Sequence, residues 1–294
     1  MNNQEHNSKK ELLFHYTRFD TALFHILPDQ RLLMNPISLM NDIYEMKNSL
    51  DNVLSGDFFE RLKSNNTFDY LKSNKLKLLS FSKDGHKRRG FDNSLMWSFY
   101  GEHYNGVCLI FDKKRLDEKF ASKFALGELG FHFDIKYEYK TPAMFKSHDN
   151  PKKPILRQNE PNDTESYVSF FEIESQKIWE LLRSEERYKD LFFRKGKEWD
   201  NENEYRYLIY KSEYEVPYPN YKPLETFLEV DGCLEAVVIG PDFKNENKFS
   251  LMKKVVNDKK LNLFSSRFEN NKIQIIEDPN SNIIRYSNYN SIFR

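Results

Sequence analysis

LKLLSFSKDGHKRRGFDNSLMWSFYGEHYNGVCLIFD, residues 76–112, reads as strand, polar loop, helix and strand. Leu76 to Ser82 has strand composition and ends in two hydroxyls. Period two places Ser80 and Ser82 on one face and Leu79 and Phe81 on the other. Lys83 to Asp92 is a charged loop. Asn93 can cap a helix whose Leu95, Met96, Phe99 and Tyr100 fall at helical spacing. Asn105-Gly106 is a turn signal, and the apolar run from Val107 to Asp112 is of the buried-strand type. Such a run needs neighbours on both faces, so other strands should dock around it. Hydroxyls at alternate positions, closing an otherwise apolar strand, suggest the edge of a cleft.

On the N-terminal side, residues 1–10 read as a frayed terminus. Glu11 to Thr17 is a short strand with a polar end. Phe19 to Leu27 is a helix with Pro28 just past it, and Arg31 to Pro36 is a second strand. Ser38 starts a helix whose first turns hold Asn41, Asp42 and Glu45, and residues 57–72 form another. On the C-terminal side, Lys113 to Phe124 is helical and Gly130 to Tyr139 alternates as one strand. Residues 140–164 are rich in Pro, Asn and Asp and read as a long loop, of a length that is usually functional or disordered. A long helix from Tyr167 to Phe193 follows. The segment from Trp199 to Tyr210 then enters a strand, and alternation puts Glu202, Glu204, Arg206 and Leu208 on one face. Leu224 to Val230, Leu234 to Ile239 and Lys272 to Ile276 are further strands, with a helix at Phe249 to Val256. The expected fold is α+β, with mixed, mainly antiparallel sheets of short strands flanked by helices. Residues 11–294 form a single domain in this reading, with a loop and helix insertion at about 140–195.

The 294 residues suffice for a sizeable core. Lys plus Arg equals Asp plus Glu, 45 each, so no global charge argues for nucleic acid. An aromatic share of 15% argues against disorder over most of the chain. Cys108 and Cys233 both sit in apolar strand-like segments, which argues against a disulfide framework. No run of membrane length and no signal-peptide core occurs, so the expected compartment is the cytoplasm and no membrane partner is expected.

Phosphate-cradling and dinucleotide glycine motifs, zinc-spaced cysteine pairs, HExxH and GxSxG are absent. What remains is a polar set at strand ends: His15, Tyr16, Thr17, Asn41, Asp42, Glu45, Ser80, Ser82, Glu202, Glu204 and Arg206. Each has a structural reading beside the functional one. His15 could be a hydrogen-bonded core histidine, and Asp42 and Glu45 could be first-turn acids complementing a helix dipole. Ser80 and Ser82 could simply close a strand. Glu202 and Arg206 could be a same-face ion pair. The aromatic cluster of Trp97, Phe99 and Tyr100 could be core.

The series LFHYT, NPISLMNDIYE, LLSFS, SLMWSFYGEHYNGVCLIF, KGKEWDNENEYRYLIY and LEAVVIGPDF resembles a bacterial family of unknown function, the domain-of-unknown-function group 2971, over roughly residues 12–243. That family name carries no activity. The opening strand, helix and strand also resemble the start of ADP-ribosyltransferase-like domains, among them bacterial toxins that modify DNA. In that superfamily a first-strand His or Arg, a middle-strand Tyr or Ser-Thr-Ser, and a late-strand Glu, often Glu-x-Glu, bind and cleave NAD. Here His15, Ser80-Phe81-Ser82 and Glu202-Asn203-Glu204 take those places in chain order. The middle motif departs from the pattern, a first-strand His with a middle Ser mixes two usual sets, and Asp42 and Glu45 have no counterpart.

The resemblance implies NAD as a substrate, no metal, and a protein or nucleic-acid acceptor, in an enzyme of toxin or phage-defence type. Glu204 would stabilise an oxocarbenium-like state and Ser80 would fix it. His15 would anchor a ribose or phosphate, with Tyr16, Thr17 and Ser82 beside it. Trp97 or Tyr100 could stack on the nicotinamide, and Arg206 could hold a phosphate or Glu202. Glu202 would orient the acceptor. Two alternatives stand beside this reading. One is a binding or sensor module of the same fold without catalysis. The other is a metal-dependent nuclease-like enzyme using Asp42, Glu45 and Glu202.

Overall fold

In the computed structural model, Val107–Asp112 is buried at all six positions, as its unbroken apolar run requires. The structure describes residues 10–40, 73, 75–86, 88–123, 129–139, 189, 192–211, 225–276 and 292. In chain order their strands are β1 (Leu12–Thr17), β2 (Arg31–Pro36), β3 (Leu76–Lys83), β4 (Val107–Asp112), β5 (Leu129–Asp134) and β6 (Lys136–Glu138), then β7 (Arg194–Gly196), β8 (Glu204–Tyr210), β9 (Thr226–Glu229), β10 (Leu234–Ile239), β11 (Asn262–Glu269) and β12 (Lys272–Ile276). Ten of them form one sheet in the order β12-β11-β10-β4-β1-β3-β2-β9, with β8 pairing both β3 and β5. Within it the β10–β11 pair is parallel and the other pairs are antiparallel. β6 and β7 make a small separate parallel pair. The protein is α+β with a mainly antiparallel mixed sheet.

One irregularity of the sheet positions the site. β8 covers one edge of β3 along its length, from Leu76↔Tyr210 to Ser82↔Glu204. The other edge is shared by two strands. β1 meets it only at Leu13↔Lys83 and Phe14↔Ser82, and β2 only at Asn35↔Leu78 and Pro36↔Lys77. Leu79, Ser80 and Phe81 lie between those contacts, where β1 and β3 part. β1 continues against β4 through Thr17↔Val107.

Helices cover both faces. Residues 19–29 are helical with a π-helical middle, Ala22–Ile26, and end at Gln30 in the left-handed conformation. We call this segment α1. The others are α2 (Ser94–Phe99), α3 (Lys113–Lys123) and α4 (Glu246–Asp258). Asn93 Oδ1 accepts from Met96 N, and Asn245 Oδ1 accepts from Lys248 N at 3.0 Å, so both helices start on side-chain caps. Leu116 and Phe120 of α3, and Met252 and Val256 of α4, are buried pairs four residues apart that pack on Leu109, Phe111 and Tyr207 or their neighbours. Phe14, Tyr16, Trp97, Cys108 and Ile110 form the core of the opposite face.

Several expectations change. The strand expected over 130–139 is broken at buried Ile135 into β5 and β6, because the chain turns there to pair with β7. Helix α1 runs to Asp29, past Pro28, which sits in the first turn of its last α-helical piece. β11 was not anticipated: its NLFSSRFE alternates weakly and only Ser266 is fully buried. The segment before β8 is a 3-10 turn, Lys197–Glu202, followed by Asn203 at φ 45°. Glu202 therefore does not belong to the strand alternation. Residues 41–72, the loop at 140–164 and all but residues 189, 192 and 193 of the helix expected over 167–193 lie outside the described residues, as do residues 1–9.

Candidate functional site

The site grows from the β3–β8 register. Ser82 pairs with Glu204 and Ser80 with Arg206, so the four side chains share one face. Ser80 Oγ donates to Glu204 Oε1 at 2.5 Å along the diagonal of this pairing. Arg206, two residues on, reaches the same carboxylate with both arms, Nε to Oε1 at 2.8 Å and Nη2 to Oε2 at 3.1 Å. Its Nη1 donates to the carbonyl of Phe192. Lys195, delivered by β7, lies 2.7 Å from Glu204 Oε2 and 2.6 Å from Glu202 Oε2. Tyr100 at the end of α2 donates its hydroxyl to Glu202 Oε1 at 3.2 Å. The result is two carboxylates and two cations, each at most 7% exposed.

Burial alone would push the Glu204 carboxyl up. The charges of Arg206 and Lys195 and their hydrogen bonds outweigh it and hold Glu204 well below the usual carboxylate range. It is therefore an anion in a site of low dielectric. A carboxylate has about four acceptor directions, and Ser80, Lys195 and the two arms of Arg206 supply four donors.

Asn203 makes this convergence possible. Its left-handed φ, which Asn tolerates better than most residues, turns the chain between the two glutamates. Its Nδ2 donates to the carbonyls of Lys83 and Asp84 at 3.1 and 3.0 Å, and its own carbonyl accepts from Lys83 N. The β3 end and the Glu-Asn-Glu turn are thereby locked together. Arg88 and Asn93 add hydrogen bonds to the Asn201 carbonyl, both at 2.7 Å.

His15 sits in the split. Its Nδ1 lies 3.2 Å from the carbonyl of Ser80, and its ring centroid lies 5.5 Å from that of Phe81. Burial lowers its pKa against the opposing effect of that hydrogen bond, which keeps the imidazole neutral near pH 7. By the register, Phe14, Ser82 and Glu204 share a face, whereas His15 alternates to the face of Leu13. His15 and Glu204 thus meet through the two sides of Ser80, its carbonyl and its hydroxyl.

Other expected residues are placed differently. Trp97 is 0% exposed, donates Nε1–H to the Phe91 carbonyl and meets Tyr16 edge-on, so it cannot stack on a ligand. Tyr16 is a core residue whose hydroxyl donates to the Gly90 carbonyl. Thr17 ends β1 at partial exposure. Arg206 is buried on Glu204 and is not presented to a phosphate. Ser82 Oγ is buried without a hydrogen-bond partner among the described residues. Tyr100 is partly exposed and reaches Glu202. Asn41, Asp42 and Glu45 lie outside the described residues. Among the described residues no group of three or more His, Cys, Asp or Glu side chains is arranged to hold a metal.

Sequence reasoning missed Lys195, Asn203 and Tyr137, whose hydroxyl oxygen accepts from Glu204 N at 2.7 Å. Lys195 and Tyr137 carry no local signal, because β6 and β7 are three residues each and come together only in the fold. Asn203 between two acids did offer one, since Asn is a frequent left-handed residue.

Fold and cluster define an α+β protein with a split central strand and a charge-balanced buried carboxylate pair beside the split. The family model described as "Protein of unknown function (DUF2971)" matches residues 96–207, a span that holds Tyr100, Lys195, Glu202, Glu204 and Arg206 but neither His15 nor Ser80. No curated protein and no solved structure matches the chain. No helix among the described residues is long and apolar enough to cross a membrane.

Proposed function

We propose that the protein cleaves the nicotinamide glycosidic bond of NAD, as an ADP-ribosyltransferase or NAD glycohydrolase. The observation that carries the proposal is the ionised, desolvated Glu204, fixed by Ser80 across paired strands where β1 and β3 part. The C1′–N bond breaks and its electron pair returns to the pyridinium ring, so nicotinamide leaves neutral. The sugar becomes an oxocarbenium-like cation, which a preorganised carboxylate stabilises. Water or an acceptor side chain or base then bonds to C1′ and gives up a proton. Glu202, whose Oε1 accepts from the Tyr100 hydroxyl at 3.2 Å, is the group assigned to receive it. His15 lies on the other face of the sheet from Glu204 and takes no contact with the ligand in this reading. Tyr100 takes the nicotinamide-facing role that buried Trp97 cannot fill. The acceptor class, and a toxin or phage-defence setting, belong to the same proposal.

The test is incubation of the purified protein with NAD and chromatographic measurement of nicotinamide. The parent should release it, and Glu204→Gln should lose about 10² to 10³ in rate, measured at a temperature where circular dichroism shows it folded. No nicotinamide release, with or without a cell extract as acceptor source, sinks the reading.

A second reading, a binding or sensor module of this fold, is favoured by one observation: every acceptor direction of Glu204 is already occupied. In that case NAD or ADP-ribose binds without turnover. The metal-dependent reading would rest on Asp42 and Glu45, with Glu202, which here is engaged by Lys195 and Tyr100.

A further inference from the structure

Glu204 can accept a ligand hydroxyl only if one of its four donors leaves. Arg206 is the least removable. It grips with two arms, is 1% exposed, and would be left as a buried cation without its counter-ion. Ser80 is held on β3, whose neighbours on both sides of it pair with β8. Lys195 differs. Its Nζ lies between two carboxylates, 2.7 Å from Glu204 Oε2 and 2.6 Å from Glu202 Oε2. Moving wholly onto Glu202 would free one acceptor direction of Glu204 Oε2, whose other donor is Arg206 Nη2, and still leave the ammonium paired.

We propose that Lys195 is a gate on Glu204. In the resting protein it occupies the acceptor position that a ligand hydroxyl needs, and Glu202 is the place to which it withdraws. This deepens the NAD reading and rests on it. Lys195 acts through Glu204 and is a positioning residue. The gate ties ligand entry to charge balance. The cluster holds two negative and two positive charges, and the withdrawal conserves that balance. Glu202 retains Tyr100 on its other oxygen throughout, so the withdrawn state is also hydrogen-bonded.

The experiment measures NAD binding by calorimetry for the parent, Glu202→Gln, Glu202→Asp, Lys195→Met and the Lys195→Met/Glu202→Gln double variant, each checked for folding by circular dichroism. Glu202→Gln removes the place of withdrawal, so Lys195 stays on Glu204 and NAD binding weakens about tenfold or more, the worth of one charge-assisted hydrogen bond. Glu202→Asp keeps a carboxylate and retains most of the affinity. Adding Lys195→Met to Glu202→Gln restores binding, because the blocking ammonium is gone. A merely structural role makes the double variant worse than either single one, and that result overturns the gate. So does parental affinity in Glu202→Gln. If the parent binds NAD but Glu202→Gln does not fold, a crystal structure of the parent with NAD decides. Lys195 bonded to Glu202 alone supports the gate, and Lys195 still bridging both carboxylates overturns it. Failure of the parent to bind NAD overturns the NAD reading and the gate with it, whereas binding without rescue overturns the gate alone.

Discussion

Glu204→Gln removes one unit of charge from a cluster in which Glu204, Arg206 and Lys195 are 4%, 1% and 6% exposed. The glutamine keeps the size of the side chain and can still accept from Ser80. What it cannot do is balance Arg206. Lys195 retains Glu202 at 2.6 Å, so the lost charge falls on the guanidinium, whose Nη1 still donates to the Phe192 carbonyl. Removing one partner of a buried pair typically costs about 3–5 kcal/mol. Against a domain stability of about 5–15 kcal/mol that is a large fraction. At about 2–4 °C per kcal/mol for a chain somewhat smaller than this one, the melting temperature falls by roughly 10 °C.

The assay is urea unfolding at pH 7.5, followed by tryptophan fluorescence, since Trp97 is buried beside the sheet. Arg206→Met and the Glu204→Gln/Arg206→Met double variant complete a cycle. Because the two side chains are in contact at 2.8 and 3.1 Å, the double variant should lose less than the sum of the singles, by about 0.5–3 kcal/mol. A loss below about 1 kcal/mol in Glu204→Gln, with an additive cycle, would refute the picture of a sealed ion cluster. It would mean that water reaches the site and screens the pair.

Other outcomes follow from the same structure. Trp97→Ala empties a fully buried site and loses the Phe91 hydrogen bond, so calorimetry should show about 3–5 kcal/mol less stability. Gly240→Ala places a Cβ 2.1 Å from the Tyr104 carbonyl oxygen, in a turn where Glu102, His103 and Tyr104 all have positive φ. Overpacking against backbone there should cost about 1–3 kcal/mol in urea titrations. Stability should also be bell-shaped in pH. His15 and His132 have folded pKa values lowered from 6.5, mainly by burial, and Glu204 is held low by Arg206 and Lys195 against burial, so the unfolded chain binds more protons and stability falls as pH drops below 6.5 and again below 4.5. Cys233, pushed by burial to about 11, and Tyr205 and Tyr207, pushed up by burial and Asp117, hold their protons in the fold, so stability falls again as pH rises above about 9 to 10; melting curves from pH 4 to 11 check both limbs.

The fold was legible where periodicity is strong. The apolar run of β4, the alternation of β3 and the Asn caps of α2 and α4 each name their own structure locally. Legibility fails where the cause is distant. Nothing near Lys195 announces that a three-residue strand will carry it to two glutamates, and nothing near Ile135 announces the break that creates that strand's partner. Trp97 was ambiguous for a different reason: helical spacing assigns a residue to a face, but what covers that face is decided by Phe91 and Tyr16 from elsewhere in the chain.

The Glu-Asn-Glu segment shows how a correct pairing can come from an incorrect local reason. Alternation along a strand puts Glu202 and Glu204 on one face, with Glu204 the deeper of the two. In the fold, Asn203 breaks the strand and turns Glu202 through a 3-10 segment, yet both carboxylates end within 2.7 Å of the Lys195 ammonium. The convergence is therefore produced by a cation from another element. That difference changes the division of labour between the acids. On a plain strand the deeper glutamate would be the free one by default. Here, among the described residues, the deeper one carries four donors and the outer one two. On the proposed reading, chemistry at Glu204 depends on moving a donor away, and Lys195 has a second carboxylate, Glu202, within reach.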